Sequence, residues 1–208
     1  MHNPFNPSFG KIPPVLLGRK EIREDYEEEL ENPNIPLLRS PRIGLSALSP
    51  FEIKLAYEKV FAKSAIELSD EVASQMTKMT KGYSYAFQLL GYLAWKKGRK
   101  TGKVTFEILN DLLPTYITNL EKNSYSKIYQ ELSEKDREFL KIMASTKQRA
   151  VSVTEIRNKL GKSSGYISMY RRRLLDAQVI EVSGYGKVTF TLPYFGEFIN
   201  EMEKFEMD

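Results

Sequence analysis

The stretch "KLGKSSGYISMYRRRLLDAQVIEVSGYGKVTFTL", Lys159 to Leu192, decides the fold reading. Gly161 permits a tight turn after one helix, because glycine accepts the left-handed backbone at no steric cost. A second helix is predicted from about Ser163 to Ala177, with Arg171, Arg172 and Arg173 in a row. "VIEVS" (179–183) and "KVTFTL" (187–192) then read as strands, joined through Gly184 and Gly186 as a hairpin. With Ile167, Tyr170 and Leu174 toward a core, the opposite helix face presents Gly165, Ser168, Met169, Arg172 and Arg173.

The flanks complete the pattern. "SEKD" places Ser133 as a helix cap and Asp136 at the third helical position. Phe139, Leu140, Ile142 and Met143 supply that helix with a core face. "SVTEIRNKL" is the next helix, with Ser152 and Glu155 as a second capping box. After the ribbon, Phe195, Phe198, Ile199, Met202 and Phe205 mark a final helix, about Tyr194 to Met207. Three helices followed by a β-ribbon predict a winged helix-turn-helix domain over residues 131–208.

The middle of the chain predicts a small helical bundle over residues 45–130. "SPFE" starts its first helix, with Ser49 as cap, Pro50 at the first position and Glu52 reaching back. Ile53, Ala56, Tyr57, Val60 and Phe61 form its buried face. A second helix from Ser69 shows Val72, Met76 and Met79, and ends at Gly82. "YAFQLLGYLAWKKG" is apolar around most of its circumference and belongs at the centre. Its Tyr83, Tyr85, Phe87, Tyr92 and Trp95 read as core packing in preference to a binding platform, and Trp95 needs a partner for its indole N–H. A fourth helix begins near Thr105, and Pro114 is expected to kink or split it before it runs on toward Leu132. Residues 1–44 read as a proline-rich extended segment, an amphipathic helix at about Arg19 to Glu31, and a connector. The fold class is therefore mainly α with a small β wing.

Composition narrows the chemistry. Cysteine is absent and His2 is the one histidine, which removes disulfides, thiolate metal sites and His-based acid–base catalysis. The apolar runs fall short of a membrane span and no secretion signal opens the chain, so a cytoplasmic protein with no membrane contact is expected. Net charge is only +4, but residues 149–187 hold eight Lys or Arg against three Asp or Glu, a local +5. A concentrated basic surface is the footprint of a phosphate binder, although a solvated face is the commoner meaning of a charge run.

The order of the pieces resembles prokaryotic AAA+ and STAND-type P-loop ATPases related to archaeal origin-recognition initiators. "NPFNPSFGKIPPVLLGRKE" is similar to their opening, with Gly18, Arg19, Lys20 and Glu21 at the "GRE"-like motif. "LSPFEIKLAYEKVF…TKGYSYAFQLLGYLAWKKG" is similar to their helical lid, and the last segment to their C-terminal winged helix. The resemblance implies a P-loop domain between opening and lid, but "ENPN" (31–34) passes almost at once into "IPLLRSPRIGLSALSPFE". No Gly-x-x-x-x-Gly-Lys-Ser/Thr spacing occurs: Gly161, Lys162 and Ser163 supply the last triplet, but Ile156 stands where the first glycine belongs. Gly82-Tyr83-Ser84-Tyr85 replaces the lid's Gly-x-Pro-Arg. Phosphoryl transfer needs a phosphate cradle, its lysine and a metal-holding acid, so no ATPase activity and no cofactor are expected.

The expected function is duplex DNA binding without catalysis. Lys162, Ser163 and Ser164 at a helix start would take phosphate, with plain capping as the competing reading. Ser168, Met169, Arg172 and Arg173 would face the duplex, with Arg171 nearer the domain's side. Adjacent helical residues point about 100° apart, so three arginines cannot share one face. Tyr185 and Lys187 would form the tip of the wing, where hairpin chemistry alone could also place them. The alternative is a protein-interaction module docking on an intact ATPase of this type, through the Ile22, Tyr26, Leu30 stripe or the helical bundle.

Overall fold

The computed structural model describes residues 2–7, 47–146 and 148–207. The expected helix at 19–31, its Ile22, Tyr26, Leu30 stripe and the Gly18–Glu21 motif lie outside the described residues. The chain is mainly helical with a small antiparallel three-stranded sheet. It divides into two compact units, Met1–Leu112 and Leu113–Asp208.

The first unit holds α1 (Pro50–Lys63), β1 (Glu67–Leu68), α2 (Asp70–Thr80), α3 (Ser84–Thr101), β2 (Lys103–Val104) and the start of α4 (Phe106–Leu120). Pro50 opens α1 as expected, and the backbone N–H of Ile53 donates to the Ser49 carbonyl at 3.0 Å. The expected capping bond is not formed: the Ser49 side chain caps nothing, and the start rests on proline geometry and backbone alone. Ile53, Ala56, Tyr57 and Phe61 are buried, whereas Val60 is only partly so. Ser69 caps α2 by accepting from the Val72 N–H at 3.3 Å. Gly82 then turns the chain with φ +77°, and a Cβ there would sit 2.9 Å from the Leu48 carbonyl oxygen.

α3 is the centre of this unit, with Tyr85, Phe87 and Trp95 buried in it. The Tyr57 hydroxyl donates to the Phe87 carbonyl at 2.9 Å. Trp95 finds the partner it requires, donating to Ser64 Oγ at 2.8 Å. Two features are not legible in the sequence. One is a two-stranded parallel pairing of β1 with β2, Glu67 opposite Lys103 and Leu68 opposite Val104. The other is that the proline-rich opening is anchored: Phe5 is buried against Tyr57, Phe61 and Phe87, with ring centroids 5.6–5.9 Å away. Asn3 Nδ2 donates to the Tyr92 carbonyl and the Asn6 N–H to Gln88 Oε1, which fixes this segment along α3. Burying one phenylalanine in this way contributes about 1.5–3 kcal/mol.

Pro114 does not split α4, which runs unbroken to Leu120. The carbonyl that loses its amide partner belongs to exposed Asn110, where water can take the bond. The α-helical pattern gives way further on, at a π-helical turn over Glu121–Tyr125, before α5 (Ser126–Glu131). The division between the units falls inside α4.

The second unit continues with α6 (Glu134–Ser145), β3 (Val151–Ser152), α7 (Val153–Leu160), α8 (Ser164–Asp176), β4 (Ile180–Val182), β5 (Lys187–Phe190) and α9 (Phe195–Met207). Ser133 and Asp136 form the expected capping box on α6. The second predicted box is absent: Ser152 precedes α7 without a side-chain cap. Its proposed partner Glu155 instead meets Lys159 Nζ at 3.2 Å, one turn on, and Ser152 is held in β3 opposite Lys187. The sheet order is β3-β5-β4, all antiparallel, with Val188 opposite both Val151 and Val182. Phe139, Leu140 and Met143 of α6 meet a core that includes Ile156, Ile167, Leu174, Val188, Phe195, Phe198 and Ile199. The Tyr125 hydroxyl donates to the Pro193 carbonyl at 2.5 Å.

Candidate nucleic-acid interface

α8 is positioned by a short turn and two buried anchors. Gly161 ends α7 with φ +61°, a conformation costly to any residue with a Cβ. Ser163 then caps α8, its Oγ accepting from the Tyr166 N–H at 3.3 Å. Ile167 and Leu174, seven residues apart, are buried on the same side of α8. Gly165, Ser168, Met169 and Arg172 all point outward and are exposed. A Cβ on Gly165 would meet nothing within 4 Å, so the outer face is open.

All nine residues selected from the sequence are exposed: Lys162, Ser163, Ser164, Ser168, Met169, Arg172, Arg173, Tyr185 and Lys187. Seven belong to α8 and the turn before it. The other two belong to the β4–β5 turn, which is held at its base. The Ser183 N–H donates to the Lys187 carbonyl at 3.0 Å, and the Val153 N–H donates to the Gly186 carbonyl at 2.8 Å. Gly184 and Gly186 take positive φ on either side of the fully exposed Tyr185.

The three arginines separate as helical geometry requires. Arg171 is partly buried, on the domain's side as expected. Arg172 is 85 % exposed, with Asp176 one turn on at 4.0 Å as its carboxylate neighbour. Arg173 is exposed too, but it is not a free cation. Its Nη2 donates to Asp136 Oδ2 at 2.8 Å, and that carboxylate is only 3 % exposed against 51 % for the arginine. The same Oδ2 accepts from Ser133 Oγ at 2.6 Å and from the Ser133 N–H at 3.2 Å. A residue read only as a helix cap thus also holds one of the three arginines. Asp136 Oδ1, equally buried, has no hydrogen-bond partner among the described residues.

An aromatic and cationic row runs along the flank of α8. Lys162 Nζ lies 5.6 Å from the Tyr166 ring centroid, Tyr166 and Tyr170 are 4.6 Å apart, and Arg173 lies 5.5 Å over Tyr170. Tyr170 therefore lines this flank and is only partly buried, short of the full core position expected for it. Residues 122–199 match a family described as a domain of unknown function, DUF8462. That match starts in the π-helical turn, ends in α9 and includes all of α8 and the β4–β5 turn. No curated protein matches the chain. Among the described residues no helix is long and apolar enough to cross a membrane, and no group of three His, Cys, Asp or Glu could hold a metal ion.

Proposed function

We propose that residues 131–208 form a winged helix that binds duplex DNA, with α8 against the major groove and the β4–β5 turn as the wing. The chain would then be a non-catalytic relative of AAA+ and STAND-type ATPases, keeping a lid-like bundle and lacking the nucleotide-binding core. The observation that carries DNA binding is the joint exposure of all nine selected residues on one helix, the turn before it and one hairpin turn. The absence of any P-loop spacing supports the non-catalytic reading of this chain.

Lys162, Arg172 and Lys187 are the phosphate- or base-reaching cations in this reading, Ser163 and Ser164 add phosphate contacts at the start of α8, and Tyr185 extends the wing. With about four to six phosphate contacts, affinity should fall steeply with salt and discriminate weakly between sequences. Fluorescence anisotropy with a mixed-sequence duplex tests this. Arg172→Ala/Lys187→Ala should weaken binding about tenfold and flatten the logarithmic salt dependence by about 2. No binding at low salt by folded protein would refute it. Exposed Phe51 and Phe106 in the first unit favour the second reading, a protein-docking module, and that outcome would leave it standing.

A further inference from the structure

From Val72 to Phe106 the chain has no Asp or Glu, yet it contains Lys78, Lys81, Lys96, Lys97, Arg99, Lys100 and Lys103. Five of those seven crowd into residues 96–103, at the C-terminal end of α3 and the start of β2. All five are exposed, and among the described residues none lies within ion-pair distance of a carboxylate. Lys54, Lys127, Lys135, Lys141 and Lys159 each have such a partner. Glu67 stands opposite Lys103 across the β1–β2 pair and is the carboxylate nearest in register, but it makes no ion pair there among the described residues.

We propose that Lys96, Lys97, Lys100 and Lys103, with Arg99 at the edge, form a second polyanion-binding surface that takes the phosphate backbone of a nucleic acid. It lies in the first unit, goes beyond the α8 reading and does not rest on it. The array is rigidly presented. Gly98 presses α3 onto the β1–β2 pair so closely that a Cβ would sit 2.7 Å from Ile66 Cγ2 and 3.1 Å from Val104 Cγ2. Gly102 closes the helix with φ +79°, and Thr101 Oγ1 donates to the Lys103 carbonyl at 2.7 Å. Arg99 lies 5.6 Å over the Trp95 ring, which fixes the edge of the patch. Along the last turns of α3 the four cations 96, 97, 99 and 100 share the outward arc, while Ala94, Trp95 and Gly98 face in.

The helix dipole favours one or two cations at a C-terminus. It does not account for Lys103, which lies beyond the cap, or for a segment without a single acid. Surfaces shaped by solubility alone intersperse both signs. The residues between the cations are Gly98, Thr101 and Gly102, none with an apolar side chain to enter a lipid layer; Phe106, 49 % exposed, lies beyond Lys103, and the vesicle arm of the test addresses it. Phosphate binding by nucleic acid needs only the charges.

The test compares four full-length proteins by anisotropy against one mixed-sequence duplex at several salt concentrations. They are the wild type, Lys96→Gln/Lys97→Gln/Lys100→Gln, Arg172→Ala/Lys187→Ala, and a charge-matched control, Lys122→Gln/Lys127→Gln/Lys204→Gln. Glutamine keeps the helix propensity of lysine, and leaving Arg99 in place keeps its contact with Trp95. The α3 variant should lose about tenfold in affinity and flatten the logarithmic salt dependence by about 2 to 3, with an unchanged melting temperature. The control should change little. Loss in the α3 variant alone supports this surface while the α8 reading fails. Loss in the Arg172/Lys187 variant alone overturns this surface and leaves α8 standing. Equal loss in the control, no DNA binding by any protein, or binding of the wild type to phosphatidylserine vesicles in place of DNA would each overturn it.

Discussion

Arg171, Arg172 and Arg173 are chemically identical neighbours, and one turn of helix places each differently. Arg171 is half-buried, Arg172 stands in solvent, and Arg173 is tied to a buried carboxylate. The 100° step between residues made some division certain. That Arg173 would be held by Asp136 was not visible, because the two are far apart in sequence and Asp136 already had a role as a cap. Removing Arg173 leaves Asp136 buried with only Ser133 to satisfy it. Arg173→Ala should therefore cost about 1–2 kcal/mol, the arginine being half exposed. Arg172→Ala should be neutral in stability and lower DNA affinity the more of the two. Chemical denaturation and anisotropy on both variants check the ranking; equal stability would show the Asp136 bond to be inconsequential.

At the scale of elements, the anchoring of Phe5 on α3 shows how a segment without secondary structure can belong to a core. Gly91 makes it possible: a Cβ there would lie 2.4 Å from Phe5 Cδ1. Gly91→Ala should raise helix propensity yet destabilise the first unit by about 1–3 kcal/mol, through overpacking against the ring. In a Phe5→Ala background the same substitution should cost little, since the clash is gone. Additive costs in the double variant, measured by urea denaturation, would mean that Phe5 does not occupy that notch in solution. Neither Phe5 nor Gly91 could be paired from the sequence. A proline-rich run reads as a loop, and a glycine within a helix does not say what approaches it.

For the molecule as a whole, the alkaline limit of stability follows from buried phenols in the second unit. Burial pushes the Tyr116 hydroxyl well above the ordinary phenol range, and Tyr194 nearby adds to it. Tyr194 shifts the same way, by burial and then by the charge of Glu197. A raised phenol pKa means that the folded chain keeps a proton which the unfolded chain releases above about pH 10. The folded state binds more protons there, so stability falls as pH rises through and beyond that value. The urea midpoint should decline above about pH 10, and Tyr116→Phe should flatten the decline whatever it costs at neutral pH. An identical alkaline slope in that variant would show that other groups set the limit.

Local rules fix much of this chain's secondary structure. The 3.6-residue spacing of Ile167 and Leu174, the glycines at 161, 184 and 186 and the serine cap at 133 placed α6, α8 and the hairpin, although the caps expected at Ser49 and Ser152 do not form. The same spacing named an outward face whose members are all exposed. Each of these signals acts within a few residues, through backbone conformation and helix period, so sequence alone determined them. Tertiary structure decided the rest: the third strand at Val151–Ser152, the parallel pairing of β1 with β2, the seat of Phe5 on Gly91 and the capture of Arg173 by Asp136. Those depend on which distant groups meet, and on the cost of leaving a strand edge, a ring or a buried carboxylate without a partner. No periodicity along the chain encodes that meeting.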